Sequence, residues 1–292
     1  MKTFESYNPV AIAVYFLSVA LIPMFFMSPL ILAPSVIGAV TLFSFTVKRN
    51  RAKTHLIMLL LLIPVSLINP FYSHRGETVL FLINDTPFTL EALIYGTLSA
   101  LTVITTLYWF RSFSVIMTED KLLYVFGRFS PRLALTLSMA LRYVALFTQR
   151  MRQVEAAQKA NGNYKSDGII DSLRSGARVF NVTVTWALEN GIITAASMQA
   201  RAYGTGKRTS FSLFRFHTRD VILLTSTLAL LSVTVAGLAL GGAEFTYYPR
   251  FTASNRLIPT LLAVIPYIIL SLIPSIIEIE ERLKWNYFLS EI

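Results

Sequence analysis

Catalysis or metal binding needs convergent side chains of the right type, and this sequence offers few. Its three histidines, His55, His74 and His217, lie far apart with no carboxylate at ligand spacing, so interfacial or loop histidines are expected rather than a metal site. With Cys at 0 there is neither disulfide nor thiolate chemistry. The run Gly204, Thr205, Gly206, Lys207, Arg208, Thr209 contains a Gly-Lys pair but lacks the upstream glycine of a phosphate-binding loop, so ATP binding by the chain itself is not expected. No nucleophile, base and orienting residue can be grouped, so the expectation is a non-enzyme with no catalytic residue, cofactor or metal. The sharpest single residue is Arg201. Between the small residues Ala200 and Ala202 its guanidinium protrudes from a thin helix end, a shape suited to binding a partner's carboxylate in a bidentate way. A solvated arginine favoured by the helix dipole is the plainer alternative.

The elements that carry such residues are set by hydrophobicity. Of 292 residues, 54% are hydrophobic and only 14% charged, and the shortage of charge is localised. Ser6 to Val47 is a run of 42 residues without Asp, Glu, Lys or Arg. As helix it would be about 63 Å long, twice a bilayer core of roughly 30 Å. Further uncharged stretches cover Thr54–His74, Ala92–Phe110, Val221–Ala243 and Leu257–Ile277, each near the length of a spanning helix. This pattern predicts a polytopic, all-α membrane protein, and excludes a soluble enzyme, a disordered chain and a secreted disulfide-stapled domain. A cleaved signal peptide is not expected either, because the first apolar stretch has no small-residue cleavage site and runs on into a second span.

Proline 29 should break the long run into spans at about 9–27 and 30–47. Four more follow at about 55–69, 90–110, 220–242 and 257–277, six in all. The loop Lys48, Arg49, Asn50, Arg51, Ala52, Lys53 carries four cations and no anion, which marks it as cytoplasmic and places both termini inside. On the opposite side, Thr78 to Ile83 is expected as a short strand or re-entrant piece. The spans contain no ionisable pathway of the kind that betrays an ion-coupled carrier. Gly237 and Gly241 form a small-xxx-small pair in the fifth span.

The net charge of +10 resides in one segment, since Arg111 to Arg219 holds 16 Lys/Arg and 6 Asp/Glu and thus accounts for the whole excess. Positive-inside topology explains it without nucleic acid. The chain therefore divides into residues 1–110 with four spans, a cytoplasmic region 111–217, and residues 218–292 with two spans and a tail. Within the cytoplasmic region two long amphipathic helices are expected. Ser130 and Pro131 suit the start of the first and Gly162 the left-handed residue after its last turn. The second runs from about Ile169 to Ala202. The two end alike, 40 positions apart, in Ala160, Asn161, Gly162 and in Ala200, Arg201, Ala202.

At these residues the chain resembles the transmembrane T component of energy-coupling factor (ECF) transporters, the EcfT/CbiQ family. The resemblance rests on Asn69, Pro70, Phe71 leading to His74, Arg75, Gly76, Glu77; on Thr89, Leu90, Glu91 through Tyr95, Gly96; on Ser138 to Tyr143; on Trp186 to Asn190; and most specifically on Ser197 to Thr209. It implies that the two helix ends are coupling sites, each docking on one of two ABC-type ATPase subunits. Asn161 stands where the family's first signature has arginine, and Ala202 where its second commonly has glycine. Further implied are a substrate-binding membrane S component, uptake of a vitamin or a transition metal, and a prokaryotic cell membrane. The alternative is a stand-alone channel or facilitator regulated by its cytoplasmic helices.

Overall fold

The computed structural model describes residues 4–47, 51–73, 76–83, 86–162, 168–206, 214–253 and 255–290. After a 3-10 turn at Phe4–Ser6, helices α1 (Pro9–Phe25) and α2 (Pro29–Thr46) are separated by a short break before Pro29. Each starts on a proline at its first position, where the missing N–H costs nothing, and the Asn8 side chain caps α1 by accepting from Val10 N at 3.0 Å. Then follow α3 (Arg51–Tyr72), a hairpin of β1 (Val79–Ile83) and β2 (Thr86–Thr89), α4 (Leu90–Ile116), α5 (Glu119–Phe129), α6 (Pro131–Ala160), α7 (Ile169–Ala200), α8 (Thr218–Ala239), a second small hairpin of β3 (Phe245–Thr246) and β4 (Thr252–Ala253), and α9 (Leu257–Ser290). Five helices, α2, α3, α4, α8 and α9, are long and apolar enough to cross a membrane. The chain is an all-α membrane protein. Helix α1 is as apolar but has 17 residues, about 25 Å at 1.5 Å per residue.

The chain forms two compact units, Met1–Leu122 with Phe214–Ile292, and Leu123–Leu213. In the first, α8 packs on α9, α3 on α4, α2 on both α4 and α9, and α1 on α4 and α8. Buried polar groups in such an interior need partners. Trp109 accordingly donates to Ser35 Oγ at 3.1 Å, Tyr15 to the Leu270 carbonyl at 2.9 Å and Tyr267 to the Val19 carbonyl at 3.1 Å. Gly38 and Gly237 are among the glycines that permit close helix contacts. Gly38 lies against the Ser271 backbone, and a Cβ on Gly237 would sit 2.5 Å from Ala263 N. The two members of the small-xxx-small pair thus differ in role: Gly237 is a packing residue, whereas Gly241, at φ +79°, ends α8 in the left-handed conformation.

The helix ends of this unit sort onto two sides. On one, Phe4 N donates to Glu278 Oε1, Asn8 N to Asp220 Oδ1, Arg51 to the Ser44 carbonyl, and Arg282 to the Phe45 carbonyl. On the other, Tyr247 donates to the Met27 carbonyl, Arg256 to the Leu240 carbonyl, and Arg250 pairs with Glu77. Burial pushes the Tyr247 hydroxyl up to about 12, so it remains a donor. The stretch 78–83 adopts the strand alternative, with Phe81 stacked on Phe88 at 4.5 Å.

Helix boundaries depart from the sequence expectation at charged residues. Helix α4 continues beyond Arg111 to Ile116, and α9 runs to Ser290 through Glu278, Glu280 and Glu281, where a tail after residue 277 was expected. Leaving the apolar environment does not by itself end a helix: α4 continues where Ser112 and Ile116 are buried by packing, and α9 continues through good helix formers such as Glu280, Glu281, Arg282 and Lys284. Lys284 pairs with Glu280 at 2.5 Å, one turn apart, which favours continuation.

Candidate partner-docking site

In the second unit α6 begins as expected: Ser130 is its N-cap, accepting from Leu133 N at 3.5 Å, and Pro131 takes the first position. Its end and that of α7 are built alike. Asn161 (φ −82°, ψ 5°) and Arg201 (φ −84°, ψ 17°) are the last near-helical residues, and Gly162 (φ 67°) and Ala202 (φ 58°) turn into the left-handed region. Gly162 N donates to the Lys159 carbonyl at 3.1 Å and Ala202 N to the Gln199 carbonyl at 2.9 Å, the same position relative to each helix end. At the second end Tyr203 N also reaches back to the Met198 carbonyl at 3.0 Å, completing a Schellman cap. A methyl group in that conformation costs about 1–2 kcal/mol, so the cap at Ala202 is held against a local penalty that Gly162 does not carry.

Helices α6 and α7 run antiparallel where they meet. Tyr143 and Thr194 share a hydrogen bond of 3.0 Å, and farther along α6 the Arg150 guanidinium lies over the Trp186 ring, 5.4 Å from its centroid. Phe147 meets Phe180 edge-on at 6.3 Å. From the Arg150–Trp186 contact, α6 has ten residues left and α7 fourteen, in opposite directions. The two capped ends therefore project from opposite ends of the pair, separated by up to about 36 Å. All six residues, Ala160, Asn161, Gly162, Ala200, Arg201 and Ala202, are exposed. Separate partners, or separate sites on a large one, can engage them.

The ends differ in charge although they match in backbone. Lys159 is paired with Glu155 at 2.7 Å, and Asn161 is neutral, so the first end presents an amide and no net charge of its own. Among the described residues, no carboxylate pairs with Arg201, and Tyr203 beside it is 44% exposed. The trailing residues Lys207, Arg208 and Thr209 lie outside the described residues, as do His74 and Arg75. The apolar stripe expected on α6 is covered only in part: Val154 is buried and Phe147 packs on Phe180, while Leu133, Leu137 and Val144 are exposed within this unit.

Other singled-out residues have structural surroundings. His55 bridges Tyr108 Oη at 2.8 Å and Ser44 Oγ at 3.3 Å, and His217 is the N-cap of α8 with Asp220 at 3.6 Å. Glu91 is buried and bonded to Thr78, and Gly76, at φ +146°, leaves the room that its carboxylate occupies. The backbone of Ser66 and the side chains of Asn69 and Pro70 close on Gly96, so these separated sequence stretches meet at one end of α3 and α4. Sequence reasoning passed over Lys121 and Asp220. Both are buried, and only contact with distant residues reveals them. No known family model matches the chain, and no curated protein matches it.

Proposed function

We propose that the chain is the membrane-embedded coupling subunit of an ATP-driven importer, the T component of an ECF-type transporter. In this reading α1 joins the five longer helices as a sixth span, the basic side with both termini faces the cytoplasm of a prokaryotic cell, and α6 and α7 are coupling helices. The observation that carries the reading is the pair of exposed helix ends, alike in backbone at Asn161–Gly162 and Arg201–Ala202, at opposite ends of one antiparallel pair. It suits docking on two related ATPase subunits, whose nucleotide-driven movement would reach the membrane through these helices. A membrane S component would bind the vitamin or metal ion. Chemistry resides in the partners; this chain transmits force.

The test is co-purification of the ATPase subunits with the chain carrying Arg201→Glu, together with transport-linked ATP hydrolysis. Reversing the charge at this helix end should abolish both, because an ion pair with the partner's carboxylate becomes a repulsion. Undiminished hydrolysis coupled to uptake would sink the assignment. Substrate flux through liposomes holding this chain alone would favour the channel reading instead.

A further inference from the structure

The first described residues hold together parts of the chain that are otherwise distant. Phe4 is fully buried among Tyr7, Tyr15 and Phe16, and its N–H donates to Glu278 Oε1 of α9 at 3.0 Å. The Glu5 carbonyl accepts from Lys121 Nζ at 2.8 Å, and the same ammonium donates to the Ile116 carbonyl, the last residue of α4, at 2.8 Å. The Glu5 carboxylate stands 4.0 Å from it. Burial pushes the Lys121 ammonium below the usual lysine range, with Glu5 opposing that effect. On the other flank Asn8 N donates to Asp220 Oδ1 at 2.9 Å, while Asp220 Oδ2 accepts from His217 N at 2.8 Å, and Arg219 lies over the Tyr7 ring.

The position of these partners in the chain gives the contacts a meaning. The chain leaves the first unit after Leu122 and returns at Phe214. Lys121 immediately precedes the departure, and His217–Asp220 open the first helix after the return. We propose that Phe4–Asn8 is a clasp that ties the two connections of the inserted unit together, so that the end of α4 and the start of α8 move as one body. Without it these two connections are joined through helix packing, that of α1 on α4 and α8 and that of α2 and α9 between α4 and α8, with no hydrogen bond from Phe4–Asn8 fixing them to each other. A force arriving through α5 or along the segment before α8 would then displace one helix at a time. Removing the ammonium takes the shared donor from the Glu5 and Ile116 carbonyls, the second of them in a buried contact, so the clasp opens when Lys121 is lost.

The importance of this for transport rests on the coupling reading above, but the clasp itself is tested without partners. Because the chain has Cys at 0, two spin labels can be introduced without background, at Thr118→Cys and Thr218→Cys, both exposed. A control pair at Val79→Cys and Thr246→Cys reports the opposite side. In lipid nanodiscs, pulsed electron resonance should find one narrow distance for each pair in the parent chain. Adding Lys121→Met, or deleting residues 2–6, should broaden the first distribution about twofold, as local opening becomes populated, and leave the control unchanged. An unaltered first pair in the Lys121→Met chain overturns the proposal. So does equal broadening of both pairs in that chain, which would make the segment a support of the whole fold and not a tie between two connections. Failure of ATPase docking with an intact clasp result would count against the coupling reading alone.

Discussion

Arg201 and Asn161 occupy the same backbone position at the ends of two helices, so their chemistry can be compared without a difference in geometry. A guanidinium offers a charged, forked donor, whereas an amide offers a neutral NH2 donor beside a carbonyl acceptor. Charge-assisted hydrogen bonds contribute about 1.5–3 kcal/mol and neutral ones about 1 kcal/mol. Arg201→Ala is therefore expected to weaken ATPase binding by about 30-fold and Asn161→Ala by about fivefold, measured by titration of the detergent-solubilised chain. The Arg201 contact should also weaken with salt and the Asn161 contact should not. Equal losses would show that charge does not separate the two sites. Both residue identities were legible in the sequence, and so was the left-handed turn at Gly162. The same turn at Ala202 was not, because an alanine in that conformation is held by the Tyr203–Met198 and Ala202–Gln199 hydrogen bonds, not by intrinsic preference.

At the level of elements, the membrane helices owe their close approach to small residues at specific points. Gly38 against Ser271 and Gly237 against Ala263 leave no room for a side chain, because the obstructing atoms are backbone. Gly38→Leu and Gly237→Leu should each lower stability by about 1–3 kcal/mol, seen as an earlier thermal unfolding transition in detergent. Gly191, inside α7 with no atom near its would-be Cβ, is the contrast: Gly191→Ala should raise the transition through helix propensity, by up to about 1 kcal/mol. A destabilising Gly191→Ala in the isolated chain would contradict the open surface around it. Sequence spacing singled out Gly237 and Gly241 together, yet only one packs. Which glycine faces a neighbour depends on where α8 ends, and the cap that ends it uses Gly241.

For the whole molecule, the sorting of helix ends onto two sides makes α1 parallel to α8, since their N-termini meet at Asn8 and Asp220. In the six-span reading α1, short as it is, crosses with the others. Arg51, Lys53, Lys121, Arg219 and Arg282 lie on the side of Phe4–Asn8, against Arg250 and Arg256 on the other, and the positive-inside rule then makes the first side the expected cytoplasmic one. Single cysteines at Lys53→Cys and Glu244→Cys, both exposed, provide the check in intact cells. A membrane-impermeant maleimide should label position 244 directly and position 53 only after lysis. Labelling of both positions from one side would overturn the six-span topology.

By itself the sequence determined the class of molecule, the approximate position of each apolar helix, the location of its excess charge, and the likeness of the two helix ends. These follow from local composition, because an uncharged stretch of sufficient length has one stable place in water and lipid, and because capping residues act on their own helix. Tertiary structure alone decided how far α4 and α9 extend beyond their apolar parts, which glycines pack, and that Glu5 meets Lys121 while Asn8 meets Asp220. The partners in each of these contacts, Glu5 with Lys121 and Asn8 with Asp220, are separated by more than a hundred positions and carry no periodic signal. The charges of Lys121 and Asp220 persist in a buried place because backbone groups satisfy them, one near and one distant for each, and no local pattern records which distant group will arrive.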